Sequence, residues 1–279
     1  MSHLVVPLSD TSEPSYFGRL LDAIELLTSQ SPAASYRDAA RRLGVPPSTA
    51  HRLLSLLLER GYCDRANDGD FRIGPKLLTI GVQALEQLPN WAPANAVVAE
   101  LGRKTGESAS VGLLIGDEIV LIARHNSTNP LTAVARVGDV LPPHTTAIGK
   151  SVLANVPVAM RERLVGKVER SHVSTILRCL DKELQTARRN RFSVDEETFT
   201  PGMRCRAVPV FDSDGVLLGG ISVSGPAVRL TVDKADNIIP FLHQAATGLM
   251  SRGAGRIHPG DEAALGQTGN AQAPALSPR

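Results

Sequence analysis

The sequence is poor in aromatic residues and has almost no excess of one charge. Aromatic residues make up 4% of the 279 residues, and the 30 Lys and Arg residues are nearly balanced by 28 Asp and Glu. So few aromatic rings argue against a platform that stacks the bases of single-stranded nucleic acid. A net charge of +2 excludes general electrostatic attraction to DNA, so any DNA binding must come from a local, directional surface.

Paired cysteines, long apolar runs and a leader-like start are also lacking. Cys63, Cys179 and Cys205 are far apart and form no CxxC pair, which argues against a structural zinc site and a disulfide framework. No run reaches the roughly 18 apolar residues of a membrane span, and Met1–Asp10 has no basic segment followed by an apolar stretch. We therefore expect a cytoplasmic protein that contacts no membrane and holds neither metal nor cofactor.

The pattern along the chain predicts two domains between two tails. We expect a flexible tail over residues 1–13, a helical domain over 14–74, a linker helix over 75–90, a larger domain over 91–250 and a disordered tail over 251–279. The second tail is rich in Gly, Ala, Pro and Gln and has no apolar period, which is typical of disorder.

The first domain begins with the pattern of three helices. The spacing of Phe17, Leu20, Leu21, Ile24 and Leu27 predicts a first helix with these side chains facing the core. Ser35 is a candidate N-cap of a second helix that Gly44 ends, and Pro46-Pro47 fits the first turn of a third, over Ser48–Arg60. Two short helices around a glycine turn predict a helix-turn-helix.

The third helix has an apolar face and a polar face. The apolar residues are Ala50, Leu53, Leu54, Leu57 and Leu58. The candidate DNA-binding residues are Ser48, Thr49, His51, Arg52 and Ser55 on the polar face, and Arg37 on the preceding helix. An ordinary solvated face has the same composition, but a hairpin predicted around Asn67-Asp68-Gly69 would form a wing beside this helix. All eight basic residues between Ser15 and Ile73 are Arg, whose forked guanidinium suits phosphate and guanine edges.

The second domain alternates hairpins and helices. We predict strands over 110–115, 119–123, 133–137, 206–211 and 216–224, and helices over 97–104, 148–156, 181–192 and 232–250. An antiparallel sheet with flanking helices predicts an α+β domain.

Five segments, in this order, resemble the IclR-type bacterial transcriptional regulators over Tyr16 to Met250. They are GVPPSTAHRLLSLLLERGY (44–62), FRIGPKLLTIG (71–81), VGDVLPPHTTAIGKSVLA (137–154), DEETFTPGMRC (195–205) and ISVSGP (221–226). The resemblance implies an α+β chain in which a winged helix-turn-helix is joined by a linker helix to a GAF-like effector-binding domain. It also implies binding to double-stranded operator DNA as a homodimer or a dimer of dimers.

The resemblance also implies a pocket for a small-molecule effector, typically a carboxylate. The implied ligand-facing groups are the amides of Ala147 and Ile148, the side chains of Asp195, Cys205, Ser222 and Ser224, and an apolar wall of Ala133, Leu141 and Met203. Independently, free N–H groups at a helix start favour an anion, and Ser222 and Ser224 share one face of a strand. The small Ala133 favours a larger ligand, such as an aromatic acid.

Two other functions are compatible with these residues. Cys205, His144 and Asp195 would supply the groups of a small cysteine hydrolase, with the winged helix as an interaction module. Alternatively, the second domain would only oligomerise a constitutive DNA-binding protein. Lys150 is either an anion-binding residue or a surface lysine. We favour an effector-controlled transcriptional regulator of a catabolic operon.

Overall fold

The structure is a computed structural model, and it describes residues 15–28, 35–66, 69–87, 91–129, 135–168 and 170–250. The chain divides into two compact units, residues 1–87 and 88–279. Both predicted tails and Ala133 lie outside the described residues. None of the helices in the described ranges is long and apolar enough to cross a membrane.

The described residues of the first unit form four helices and a two-stranded hairpin. In chain order these are α1 (Tyr16–Thr28), α2 (Tyr36–Leu43), α3 (Pro47–Glu59), β1 (Cys63–Arg65), β2 (Phe71–Ile73) and α4 (Pro75–Gln87). The Ser35 hydroxyl accepts the N–H of Asp38 and caps α2, and Gly44 ends that helix with φ 63°. Strand β1 pairs antiparallel with β2 directly after α3, so the hairpin is a wing.

The core of this unit lies between α1, α2, α3 and the wing. The face of α1 that is buried in this core differs from the predicted face. Leu27 is buried, whereas Phe17 is 75% exposed and Leu21 is 61% exposed. The prediction that these two side chains face the core was wrong. The inner face instead includes Ala23 and Leu26, because an alanine allows α1 to approach its neighbours closely.

The second unit is built on one five-stranded sheet. Its strands are β3 (Ser108–Ile115), β4 (Glu118–His125), β5 (Ser193–Glu196), β6 (Met203–Phe211) and β7 (Leu217–Pro226). The order across the sheet is β4-β3-β7-β6-β5, and every neighbouring pair is antiparallel. The helices are α5 (Trp91–Thr105), α6 (Ala147–Asn155), α7 (Val158–Val168), α8 (Val173–Asn190), α9 (Val232–Asn237) and α10 (Ile239–Met250).

The two faces of the sheet have separate apolar cores. Helices α5 and α10 cover one face, where Val111, Val208 and Val223 are buried. Helix α6 covers the other face with α8 behind it, around Ile148 and Leu184. Side chains alternate along each strand, so polar residues on the α6 side do not disturb the core on the α5 side.

Several predicted elements of this unit needed correction. Residues 135–137 are not a strand, and Val140 instead forms an isolated bridge with Val120. The closing helix breaks at Ile238, because Pro240 has no N–H with which to continue the helical ladder. The charged helix starts earlier than predicted, at Val173. Helix α7 and strand β5 were missed.

Candidate functional sites: the polar face of α3 and a cavity in the second unit

The polar face of α3 lies on the surface of the first unit. Ser48, His51 and Arg52 are exposed, while Thr49 and Ser55 are half-buried. The opposite face is buried through Ala50, Leu53, Leu54 and Leu57. Arg37, the remaining candidate, is exposed on α2. The predicted surface therefore combines one face of α3 with one residue of the helix before it.

Aromatic rings hold two of these side chains in place. The Arg52 guanidinium lies 5.5 Å from the centre of the Tyr16 ring, and the His51 ring lies 4.4 Å from that of Tyr36. His51 Nδ1 is also 3.4 Å from the Ser55 hydroxyl. Since stacking lowers the rotamer freedom that binding would otherwise remove, these contacts preorganise the face.

The wing contributes a residue that the sequence reasoning did not single out. The Arg65 guanidinium stacks on the rings of Phe71, at 4.6 Å, and Tyr36, at 4.9 Å. Arg65 is exposed at the end of β1, so it extends the positive surface from α3 onto the wing. The available signal was an arginine beside a hairpin turn.

The second unit contains a cavity between α6 and the sheet. The empty space in it is about 570 Å³, a volume that includes open solvent at its mouth. Eight of the nine effector candidates line it: Leu141, Ala147, Ile148, Asp195, Met203, Cys205, Ser222 and Ser224. The structure thus brings together residues that are up to 83 positions apart, from Leu141 to Ser224.

The N-terminus of α6 forms one end of the cavity. The Thr146 hydroxyl accepts the N–H of Gly149 at 3.1 Å and caps the helix. The N–H groups of Ala147 and Ile148 have no acceptor within the described ranges. Gly149 permits this arrangement, because a Cβ there would lie 2.5 Å from the backbone of Pro143. The result is a pair of helix N–H donors that can bind an anion.

Asp195 lies on β5, an edge strand that is tied to the start of α6 by the hydrogen bond from the Ser193 hydroxyl to the Ala147 carbonyl. One carboxylate oxygen accepts the N–H groups of Thr198, at 2.8 Å, and Phe199, at 3.2 Å. Burial raises the pKa of this carboxyl, although those two N–H groups and the charge of Lys150 oppose the shift. The carboxyl therefore ties the loop carrying Phe199, another lining residue, to the floor of the cavity.

Cys205 lies directly across from Asp195 in the sheet register. Burial, followed by the charge of Asp195, raises the pKa of its thiol far above the ordinary value. A nucleophilic cysteine needs the opposite shift. No group of three His, Cys, Asp or Glu side chains that could hold a metal exists among the described residues.

Lys150 fits neither sequence interpretation. Its side chain is buried and does not line the cavity. The ammonium group donates to Glu183 Oε1 at 2.8 Å and to the carbonyl of Val194 at 3.2 Å. Lys150 thereby fastens α6 to α8 and to β5, beside Asp195.

The sequence reasoning missed seven lining residues. They are Ser110, Leu121, Arg124, Ala135, Thr146, Phe199 and Thr200. Two of them carry chemistry that the register alone could have revealed: Ser110 pairs with Arg124 on one side and with Ser222 on the other. The sequence alone carries no signal for this pairing.

Comparison with known proteins finds a family match in each of the two units. The family model for the C-terminal region of bacterial IclR transcriptional regulators matches residues 82–250, and the IclR helix-turn-helix model matches residues 18–65. The regulator KdgR of Dickeya chrysanthemi is 31% identical over 76% of this chain and 71% of its own length. The regulator BhcR of Paracoccus denitrificans is 30% identical over 84% of this chain and 87% of its own.

Solved structures share the fold. An IclR homologue from Microbacterium hydrocarbonoxydans, solved in complex with 4-hydroxybenzoate, superposes with a TM-score of 0.72. The two chains are 24% identical, and the match covers 85% of this chain and 98% of the other. The hydrolase alternative is therefore wrong, because the relatives are transcriptional regulators and the Cys205 thiol is held protonated. With both of its units matched by the family's models, this chain belongs to the IclR family of DNA-binding bacterial transcriptional regulators.

Proposed function

We propose that this regulator is a cytoplasmic homodimer, or a dimer of dimers, whose operator affinity is set by a small carboxylate. The observation that carries the proposal is the cavity, which is lined by the first two residues of α6, an apolar wall and two serines. A regulator that senses an acid can govern the genes that consume it, so the operon we propose is catabolic.

The DNA-binding half of the proposal rests on α3, Arg37 and the wing. Ser48, Thr49, His51 and Arg52 would meet base edges and phosphates in a major groove, as the second helix of a helix-turn-helix does. Ser55, hydrogen-bonded to His51, would steady that ring. The linker helix over 75–90 would carry the effector signal between the units, through a coupling of about 1–3 kcal/mol.

The exposed apolar side chains of α4 support a dimer. No residue of α4 is buried within the chain, although Leu78 is 65% exposed and Val82 is 48% exposed. These residues are four positions apart and share one helix face. A second copy would cover that face. Leu78→Ser with Val82→Ser should shift the molar mass measured by light scattering toward the monomer, whereas Gln83→Ser on the same helix should leave it unchanged.

Operator binding is tested by fluorescence anisotropy at fixed physiological salt. The DNA is a set of overlapping fragments, or tiles, from the region upstream of the gene. One tile should bind more tightly than a scrambled control, and one acid from a panel of aliphatic and aromatic carboxylates, including 4-hydroxybenzoate, should shift that affinity. Arg52→Ala should lose about 5–150-fold in operator affinity, corresponding to about 1–3 kcal/mol, with effector affinity intact. Arg178→Ala, an exposed arginine of α8, is the matched control.

Ser222→Ala with Ser224→Ala tests the pocket. The double variant should lose effector affinity while its ligand-free DNA binding stays at the wild-type level. Unchanged effector affinity would remove these serines from the site. Operator binding that no acid alters would favour the constitutive DNA-binding protein instead.

A further inference from the structure

Strand β5 brings the carboxyl of Asp195 close to the first turn of α6. The hydroxyl of Ser193 donates to the carbonyl of Ala147 at 2.7 Å, and the Lys150 ammonium donates to the carbonyl of Val194 at 3.2 Å. Residues two apart on a strand share one face and lie about 6.6 Å apart. Asp195 therefore faces the cavity one row of residues along the sheet from the point where Ser193 holds Ala147.

The sheet register shows that this row lies in front of the helix. One row across the floor consists of Ser222, Ala207 and Ser193, and the next consists of Ser224, Cys205 and Asp195. Ile148 lies over Gly220, one row earlier on β7, since a Cβ on that glycine would be 3.3 Å from Ile148 Cγ2. Going from Ile148 back to Ala147 moves from the Gly220 row to the Ser193 row. The row of Asp195 is the next one, beyond the start of α6.

An acid group bound by α6 would meet this carboxyl. The N–H groups of the first turn of a helix point along its axis, away from the helix body. An acid group that accepts the N–H groups of Ala147 and Ile148 would therefore lie over the rows that end at Ser193 and Asp195. Two carboxylates that share one site repel each other unless one of them binds a proton.

The charged groups packed around Asp195 are already paired. On α6, Lys150 donates to Glu183 of α8, although its charge also acts on Asp195. The arginines of β6 beside Cys205 lie on the opposite face of the sheet and pair with Glu196; they are Arg204 and Arg206. Burial already raises the pKa of the Asp195 carboxyl, and a second carboxylate would raise this pKa further.

We propose that Asp195 and the acid group of the effector share one proton, so that binding takes up a proton from solvent and weakens as the pH rises. This inference rests on the proposed function. A neutral carboxyl can donate a hydrogen bond to the acid group, which an ionised one cannot. Since one proton is bound with each ligand, the affinity falls by up to about tenfold per pH unit above the pKa of the ligand-free carboxyl.

Calorimetric titration of the full chain tests this from about pH 6 to about pH 8, where a free carboxylate stays ionised. The ligands are benzoate, propionate and pyruvate, each with its amide, in two buffers of different ionisation enthalpy. The acid that binds should take up a proton and lose affinity with rising pH. An amide that binds should do neither, because it brings no charge to Asp195.

Asp195→Asn removes the shared proton but keeps an acceptor for the N–H groups of Thr198 and Phe199. Its affinity for the acid should not change with pH. Asp233→Asn, at an exposed carboxyl of α9, is the matched control and should behave like the wild type. Two other ionisable groups remain in both variants: His144 in the turn before α6, and Arg124 on the far edge strand, where Asp139 acts on its charge. A pH dependence that persists in Asp195→Asn would belong to such groups and overturn the inference.

The remaining outcomes separate this inference from the proposed function. A wild type that binds an acid without taking up a proton would overturn the shared proton and leave the carboxylate effector in place. A wild type that binds none of the acids would overturn both. If Asp195→Asn does not fold, the proton uptake of the wild type decides the question, because that measurement needs no variant.

Discussion

At the scale of single residues, Asp195 combines two tasks that conflict with one another. Its carboxyl accepts two backbone N–H groups, which favours the charged form, yet it lies in a buried site that favours the neutral form. Burial prevails, and the pKa lies above its ordinary value of 3.8. A carboxyl with a raised pKa stabilises the folded state below its ordinary pKa and loses that contribution as the pH rises through the folded-state value.

Asp195→Asn should therefore remove one component of the pH dependence of stability. The asparagine carbonyl can accept the same two N–H groups but cannot ionise. Relative to this variant, the wild type should become less stable as the pH rises from 3.8 toward 7. Across that range the melting temperature of the wild type should fall relative to that of the variant. Parallel curves for the two proteins would contradict the raised pKa.

The site residues illustrate what a sequence can supply at this scale. Ser222 and Ser224 were predictable, because a strand places every second side chain on one face. Arg124 and Ser110 were not, because only the pairing of β3 with both β4 and β7 brings them beside Ser222. Lys150 was misread because its burial depends on Glu183, 33 residues away.

At the scale of elements, the N-terminus of α6 depends on its contact with the turn before it. Gly149 lies so close to Pro143 that no side chain fits between them. Gly149→Ala should force the first turn of α6 away from the turn at Pro143 and destabilise the second unit by about 1–3 kcal/mol, the usual effect of overpacking. Denaturant titration followed by circular dichroism measures this loss.

Gly166→Ala is the matched control for that experiment. Gly166 lies within α7, and a Cβ there would be 3.7 Å from Val173, an ordinary contact. Its replacement should leave stability unchanged or raise it by up to about 1 kcal/mol through helix propensity. Equal losses in the two variants would refute the importance of the contact between Gly149 and Pro143.

The helices and strands show where local patterns succeed and where they fail. Caps and turns defined α2 and α3, because Ser35 and Gly44 act on their immediate neighbours. The inward face of α1 could not be chosen from its apolar spacing, since Phe17 and Leu21 fit the helical period but lie in solvent. The early start of α8 was visible in the spacing of Val173, Ile176 and Leu177, which pack against the apolar core around Ile148 and Leu184.

At the scale of the whole molecule, two units with separate cores should unfold separately. Scanning calorimetry of the full chain should show two transitions, because the cores of the units share no cluster of buried residues within the described ranges. An acid at 100 times its dissociation constant should raise the free energy of unfolding of the second unit by about 2.7 kcal/mol. Operator DNA should raise that of the first.

The shift that the acid causes in the transition of the first unit, and the shift that operator DNA causes in that of the second, then measure the coupling between the two sites. If the acid moves only its own transition, the coupling is small and operator affinity should respond weakly to it. A single transition moved equally by both ligands would contradict the separation into two units. The sequence predicted two domains from composition and pattern, but it contains no direct signal for how strongly they are coupled.

The arginine-only surface around α3 and the wing limits how the cell can modify this regulator. Arg52 and Arg65 are held on aromatic rings, and no lysine occurs between residues 15 and 73. Lysine acetylation, which removes a positive charge, has no target between residues 15 and 73, and the nearest lysine in sequence is Lys76, over the ring of Tyr62. Arginine methylation keeps the charge. Enzymes that act on lysine therefore cannot neutralise the arginines that we propose to contact DNA.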